Sequence, residues 1–196
     1  MFNDLTNQLI DEYSSYENPW EGSVFERIAL ASCDRRGRFG EDWLHHHLSL
    51  ADISNEWLED RNINPIDGVY DVKLLGKPRA RIEVKTSFHP QYKFQHENLK
   101  VAELCDWYIF IDVAYDSITL VILTHEFFLN EFNADTNQLG IIPHLRKDTT
   151  DNHKYDFSGL QHRRAEELGL ALDITCDTPE SDIISFLQTH FSLWTY

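Results

Sequence analysis

Cysteine is scarce in this chain of 196 residues: Cys33, Cys105 and Cys176 lie far apart, and none sits in a CxxC pair. That spacing argues against a disulfide framework and against a cysteine zinc site, and leaves the expectation of buried thiols in a reducing compartment. Long apolar runs are missing too, since none approaches the roughly 18 residues of a membrane span. The N-terminal stretch MFNDLTNQLIDEYSSYE has neither the basic start nor the apolar segment of a signal peptide, so a cytoplasmic location is expected. Glycine (8) and proline (6) are sparse while 42% of residues are apolar and 13% aromatic, which excludes a disordered chain. With no low-complexity stretch to divide it, the chain reads as one domain over 1–196. Its core spans about 23–135 and a C-terminal addition about 136–196.

Positive charge is short overall, and its distribution matters more than its total. The net charge is −16, yet residues 1–26 and 165–196 each hold six acids and no base, so all 17 Lys and Arg lie in residues 27–164. Residues 77–100 carry six bases against two acids, and residues 144–164 carry five against three. Residues 27–164 as a whole still hold 21 acids against those 17 bases, so it is these two locally basic stretches that permit contact with phosphate, whose affinity comes largely from Lys and Arg.

Hydrophobic spacing predicts a mixed α/β order. After Ser23, Val24, Ile28 and Ala31 recur at helical spacing until DRRGR interrupts them. A second helix follows in GEDWLHHHLSL, with Glu41, Leu44 and Leu48 on one face and Trp43 and His47 beside it. Two short strands come next, then a helix over FQHENLKVAELC, with Phe94, Leu99, Ala102 and Leu104 in a loosely helical pattern. WYIFIDVAY and SITLVILT read as strands covered on both faces. A helix in HEFFLNEF, a long polar connection through residue 157, a helix from Ser158 to Leu168 and a last helix, with Thr178 as cap and Pro179 at its first position, complete the chain.

The stretch VYDVKLLGKPRARIEVKTS, residues 69–87, reads as two strands around a tight turn, and it carries an unusual set of charges. Side chains alternate faces along a strand, so Glu83 and Lys85 share a face opposite Ile82 and Val84. A turn centred on Gly76 and Lys77 brings Asp71 opposite or nearly opposite Glu83, with Cβ atoms roughly 4.5 to 5.5 Å apart. Two carboxylates at that distance repel each other unless a cation lies between them, and hard oxygen donors suit Mg²⁺. Such a cation with an adjacent ammonium points to phosphodiester hydrolysis.

YDV followed by IEVK resembles the PD-(D/E)-x-K nuclease superfamily over roughly residues 37–124. The resemblance implies a restriction-endonuclease-like mixed β-sheet flanked by helices, with a helical and loop C-terminal addition. It also implies Mg²⁺ as cofactor, with Mn²⁺ as substitute, held by Asp71 and Glu83, while Lys85 serves the attacking water. Glu41 then has two readings: a further metal ligand, or a carboxylate favouring the positive end of its helix. No proline precedes Asp71; the Pro-Ile-Asp triplet ends at Asp67, on the order of 13 Å earlier along an extended chain, so Asp71 is the preferred ligand.

Beyond this set, His45, His46 and His47 fan around a helix and cannot converge on one metal. Gln95, Arg146, Lys147, Arg163 and Arg164, with Lys154, His144, His153 and His162 nearby, fit a DNA-contacting surface, and a solvated charged loop explains the basic ones equally well. The expected function is a metal-dependent DNA endonuclease of the type II restriction class, acting on double-stranded DNA as a homodimer. A repair, recombination or phage nuclease of the same fold, or a noncatalytic acidic inhibitor or binding protein, is the alternative.

Overall fold

The computed structural model describes residues 17–57, 70–76, 78–100, 105–133, 135–141, 144–145 and 152–194. The fold is mixed α/β. Among the described residues the first elements are α1 (Glu26–Ala29) and α2 (Cys33–Leu50), followed by strands β1 (Asn55–Trp57), β2 (Val72–Leu74), β3 (Ala80–Phe88), β4 (Lys93–Lys100), β5 (Trp107–Val113) and β6 (Ser117–Thr124). Then come α3 (His125–Asn130), β7 (His144–Leu145), β8 (Asn152–Ser158), α4 (Gly159–Glu167), β9 (Ala171–Thr175) and α5 (Glu180–His190). Among the described residues six strands form the main sheet in the order β1-β2-β3-β5-β6-β9, and three form a second sheet, β4-β8-β7. Among the described strands every pairing is antiparallel except β3 with β5.

Alternation of side chains divides the interior into two cores. One face of the main sheet, including Ile82, Val84, Ile109 and Ile111, packs on Leu44 and Leu48 of α2 and on Ile183 and Leu187 of α5. The other, including Tyr108 and Phe110, packs on Phe94 and Leu99 of β4, Tyr155 and Phe157 of β8, Phe128 of α3 and Ala165 of α4. Strands β5 and β6 are therefore covered on both sides, as their near-continuous apolar runs predict.

The expected helix over FQHENLKVAELC is instead strand β4 through Lys100; residues 101–104 lie outside the described residues. Phe94 and His96 are buried and Gln95 is exposed, a period of two, but the pairing with β8 slips between His96 and Leu99. That irregularity sets the next buried residue, Leu99, off the alternation and makes strand spacing resemble helical spacing. The polar connection through residue 157 likewise holds β7 and β8, and ALDIT forms β9 at the edge of the main sheet, so the C-terminal stretch supplies strands as well as helices. DRRGR does not interrupt a helix; it lies inside α2.

Smaller expectations shift as well. Pro179, not Thr178, caps α5, because the Thr178 hydroxyl accepts the Thr175 N–H instead. Ser158, expected as the first residue of its helix, is instead the cap of α4 and forms a capping box with Gln161. Of the three cysteines only Cys105 is buried: Cys33 begins α2, and Cys176 follows β9 in an exposed turn.

Helix α2 meets the sheet at one point of close approach. A Cβ built on Gly40 stands 1.9 Å from the Thr86 hydroxyl and 3.0 Å from its Cβ, whereas one built on Gly37 meets nothing within 4 Å. Gly40→Ala is therefore expected to lower stability by about 1–3 kcal/mol through overpacking. Gly37→Ala, one helical turn earlier, is expected to raise it by about 0.5–1 kcal/mol through helix propensity. Urea melts of the two variants check the opposite signs.

Candidate functional site

In the β2–β3 hairpin Val72 faces Ile82, Lys73 faces Arg81 and Leu74 faces Ala80, one residue off the pairing that a turn centred on Gly76 and Lys77 gives. Asp71 stands just before β2. Its N–H donates to the Ile82 carbonyl at 2.9 Å, on the residue already opposite Val72, so the strand gains a residue here in the manner of a β-bulge. Its Oδ2 accepts the Val84 N–H at 2.8 Å. The Asp71 carboxylate is thereby pinned to the β3 backbone between Glu83 and Lys85.

On β3 itself, Ile82 and Val84 enter the core shared with α2, which turns Glu83 and Lys85 to the opposite face. The Lys85 ammonium contacts Glu83 Oε1, and the two side chains are only 20% and 6% exposed. A pair this far from water is held by mutual attraction, and removing one partner leaves the other charge costly to keep.

The remaining expected residues divide. Glu41 is buried on α2, with one oxygen 3.9 Å from Arg38. Helix α2 lies against the Val84 and Thr86 face of β3. Among the described residues no three His, Cys, Asp or Glu side chains form a preformed metal cluster, so Asp71, Glu83 and Glu41 are not gathered into one. His47 is buried, and its Nδ1 donates to the Trp43 carbonyl at 2.8 Å, one turn back along the helix. His46 is exposed and His45 contacts Asn55, so the three fan apart as expected.

Gln95 is not at a helix start but on β4, exposed, its N–H donating to the Ser87 hydroxyl at 3.3 Å. Arg163 is exposed on α4. Arg164 is partly buried and donates to the Leu139 carbonyl at 3.0 Å, which makes it a clasp between α4 and the loop before β7. Arg146 and Lys147 lie outside the described residues; His144 pairs with Lys154 and His153 with Leu145 along β7 and β8.

One group escaped the sequence reading. Asp112 on β5 is fully buried between two histidines, with Oδ1 2.7 Å from His96 Nε2 on β4 and Oδ2 2.7 Å from His162 Nε2 on α4. The His162 contact is a hydrogen bond, whereas the His96 contact is as close but not aligned as one. Burial pushes the Asp112 carboxyl up, but the two imidazoles outweigh it and hold its pKa below the usual carboxylate range. The available signal was Asp112 itself, an acid inside the apolar run WYIFIDVAY, which needs partners to be buried.

Comparison of the chain with protein-family models, with curated proteins and with solved structures finds no match.

Asp112→Asn is expected to lower stability by about 3–5 kcal/mol, because two buried imidazoles lose their anion; urea melts at neutral pH measure it. A carboxyl with a depressed folded pKa stabilises above its unfolded value near 4 and loses that contribution as pH falls through the folded value. The difference between parent and variant should therefore shrink below about pH 4.

Proposed function

We propose that this chain is a Mg²⁺-dependent DNA endonuclease with a restriction-endonuclease-like sheet, in which Asp71 and Glu83 hold the metal and Lys85 attends the attacking water. The observation that carries this reading is the position of Asp71, whose carboxylate is fixed on the Val84 N–H while Glu83 and Lys85 contact each other on one face of β3. The element order supports it: α2, then β1, β2 and β3 antiparallel, then β5 returning parallel to β3. One departure from the resemblance is that the crossover between β3 and β5 carries strand β4 where a helix was expected.

The donor set suits the cation. Asp71 and Glu83 are hard oxygen donors at the same level of the strand pair, and Mg²⁺ keeps several waters, so two carboxylates suffice to hold it. When bound, it supplies positive charge against a phosphoryl oxygen and raises the acidity of a water. The protein's own contribution is placement. The core contacts of Ile82 and Val84 fix the strand, the Val84 N–H fixes the Asp71 carboxylate, and Glu83 holds the Lys85 ammonium where it can orient the attacking water and offset charge as the phosphorus gains a fifth oxygen.

A double-strand cut at a symmetric sequence is most simply made by two such sites related by a two-fold axis, so the proposed active species is a cytoplasmic homodimer on double-stranded DNA. The restriction class is the leading assignment, and discrete product bands distinguish it from a repair-type nuclease.

Purified chain is expected to nick and linearise plasmid DNA with Mg²⁺. Asp71→Ala, Glu83→Gln and Lys85→Ala should each reduce the rate by about 10³-fold or more, in line with the loss of a group acting in the transition state. Calorimetry should show Mn²⁺ binding lost in the first two variants and kept in Lys85→Ala. Unchanged cleavage in any of the three overturns the site, and an inert parent chain favours the acidic binding protein.

A further inference from the structure

A cavity of about 650 Å³ opens where the ends of β3, β4 and β8 meet, lined in part by Ser87, His89, Lys93, Gln95 and Asp156. Its volume lies within the range of small-molecule and cofactor sites. Ser87 is two residues beyond Lys85 on the same face of β3, roughly 7 Å along the strand. The sugar of a nucleotide bridges a distance of that order between its phosphate and its base.

The polar groups of this wall are not all used by the fold. Ser158 and Gln161, which also line it, are engaged in the capping box of α4. Gln95 and Asp156 face each other directly across β4 and β8, so they present their side chains side by side. Asp156 keeps one carboxylate oxygen buried with no hydrogen-bond partner. A buried acceptor left without a donor is unfavourable, so Asp156 favours a ligand that brings N–H groups. His89 adds a flat neutral ring: burial, with the charge of Lys93, holds its pKa below the ordinary histidine value. Its Nδ1 accepts the Gln91 N–H at 3.1 Å, which leaves the proton on Nε2.

We infer that this cavity is a nucleobase pocket that takes guanine. Among the DNA bases guanine presents two adjacent donors, N1–H and the N2 amino group, beside the acceptor O6. The Asp156 carboxylate accepts from the two donors and the Gln95 amide donates to O6, so the pocket reads the Watson–Crick edge of a guanine held out of the base-paired stack. Lys93 supplies a cation at the rim for a phosphate. That the guanine belongs to a DNA strand whose phosphate lies at Lys85, and not to a free nucleotide, rests on the nuclease reading above.

Calorimetry of the full chain in EDTA with GMP, AMP and CMP tests the pocket without reference to cleavage. GMP is expected to bind at least about tenfold more tightly than AMP or CMP, the discrimination of a good bidentate contact. Asp156→Asn should abolish that preference. Gln95→Ala, at an exposed position where folding is not at stake, should weaken GMP several-fold and leave AMP unchanged. An oligonucleotide with a single guanine should likewise bind more tightly than its guanine-free counterpart. Equal affinity for GMP and AMP, or a preference that survives Asp156→Asn, overturns the pocket. Preference for GMP without preference among oligonucleotides assigns it to a free nucleotide and overturns its link to the cleavage site. The nuclease reading stands or falls separately, on plasmid nicking.

Discussion

A single buried carboxylate joins the layers of this protein. Asp112 lies in the centre of the main sheet, yet its two oxygens reach His96 in the second sheet and His162 in α4. A bare carboxylate in that position would be too expensive to ionise, so strand, sheet and helix must come together for any of the three side chains to be accommodated. The aromatic rings around them follow the same geometry: His96 sits on Phe110 and Phe157, and His162 on Phe94 and Phe157. Apolar burial gives this layer its cohesion, and the bridge from carboxylate to imidazoles fixes its position.

The candidate site depends on that layer indirectly. Glu83 and Lys85 are on the face of β3 that pairs with Tyr108 and Phe110 of β5, and β4 and β8 cover this side of the sheet. On an open sheet the two charges would be a solvated surface pair of little energetic consequence. Under partial cover they are drawn into contact, and the bulge at Asp71 adds a second carboxylate to the same level. The opposite face of β3 takes the other half of the task, since Gly40 lets α2 approach Thr86 closely and hold the strand from behind.

The sequence makes the hairpin legible because its signals are local. Alternation fixes the faces of Glu83 and Lys85, and the tight turn brings Asp71 back to their level within one residue. The two apolar strands after it are equally plain. What local patterning does not reveal is the second sheet: β4 carries a slipped pairing that disguises its period, and β8 lies in a segment whose polarity reads as a loop. The histidines were visible as residues but not as partners. His96 and Asp112 are separated by a strand crossover, and His162 follows from a helix capped much later in the chain, so their meeting is a property of topology. Arg164 shows the same limit from the other side: a basic residue beside an exposed one, distinguished only by the loop carbonyl it happens to reach.

The pairing of β4 with β8 also sets an order of events. Hairpins β2–β3 and β5–β6 join neighbours in sequence, whereas Lys93 must wait for Ser158 and the whole of β5, β6 and α3 to intervene before its strand has a partner. Closing so long a loop brings no contact energy until the ends meet, which places such pairings late in folding and, on the ribosome, late in synthesis. Until then the apolar side of β4 and the face of the main sheet beneath it remain open to other chains. The outer sheet is thus the region where this protein is most exposed to misassembly, and the stage at which its charged strand leaves water.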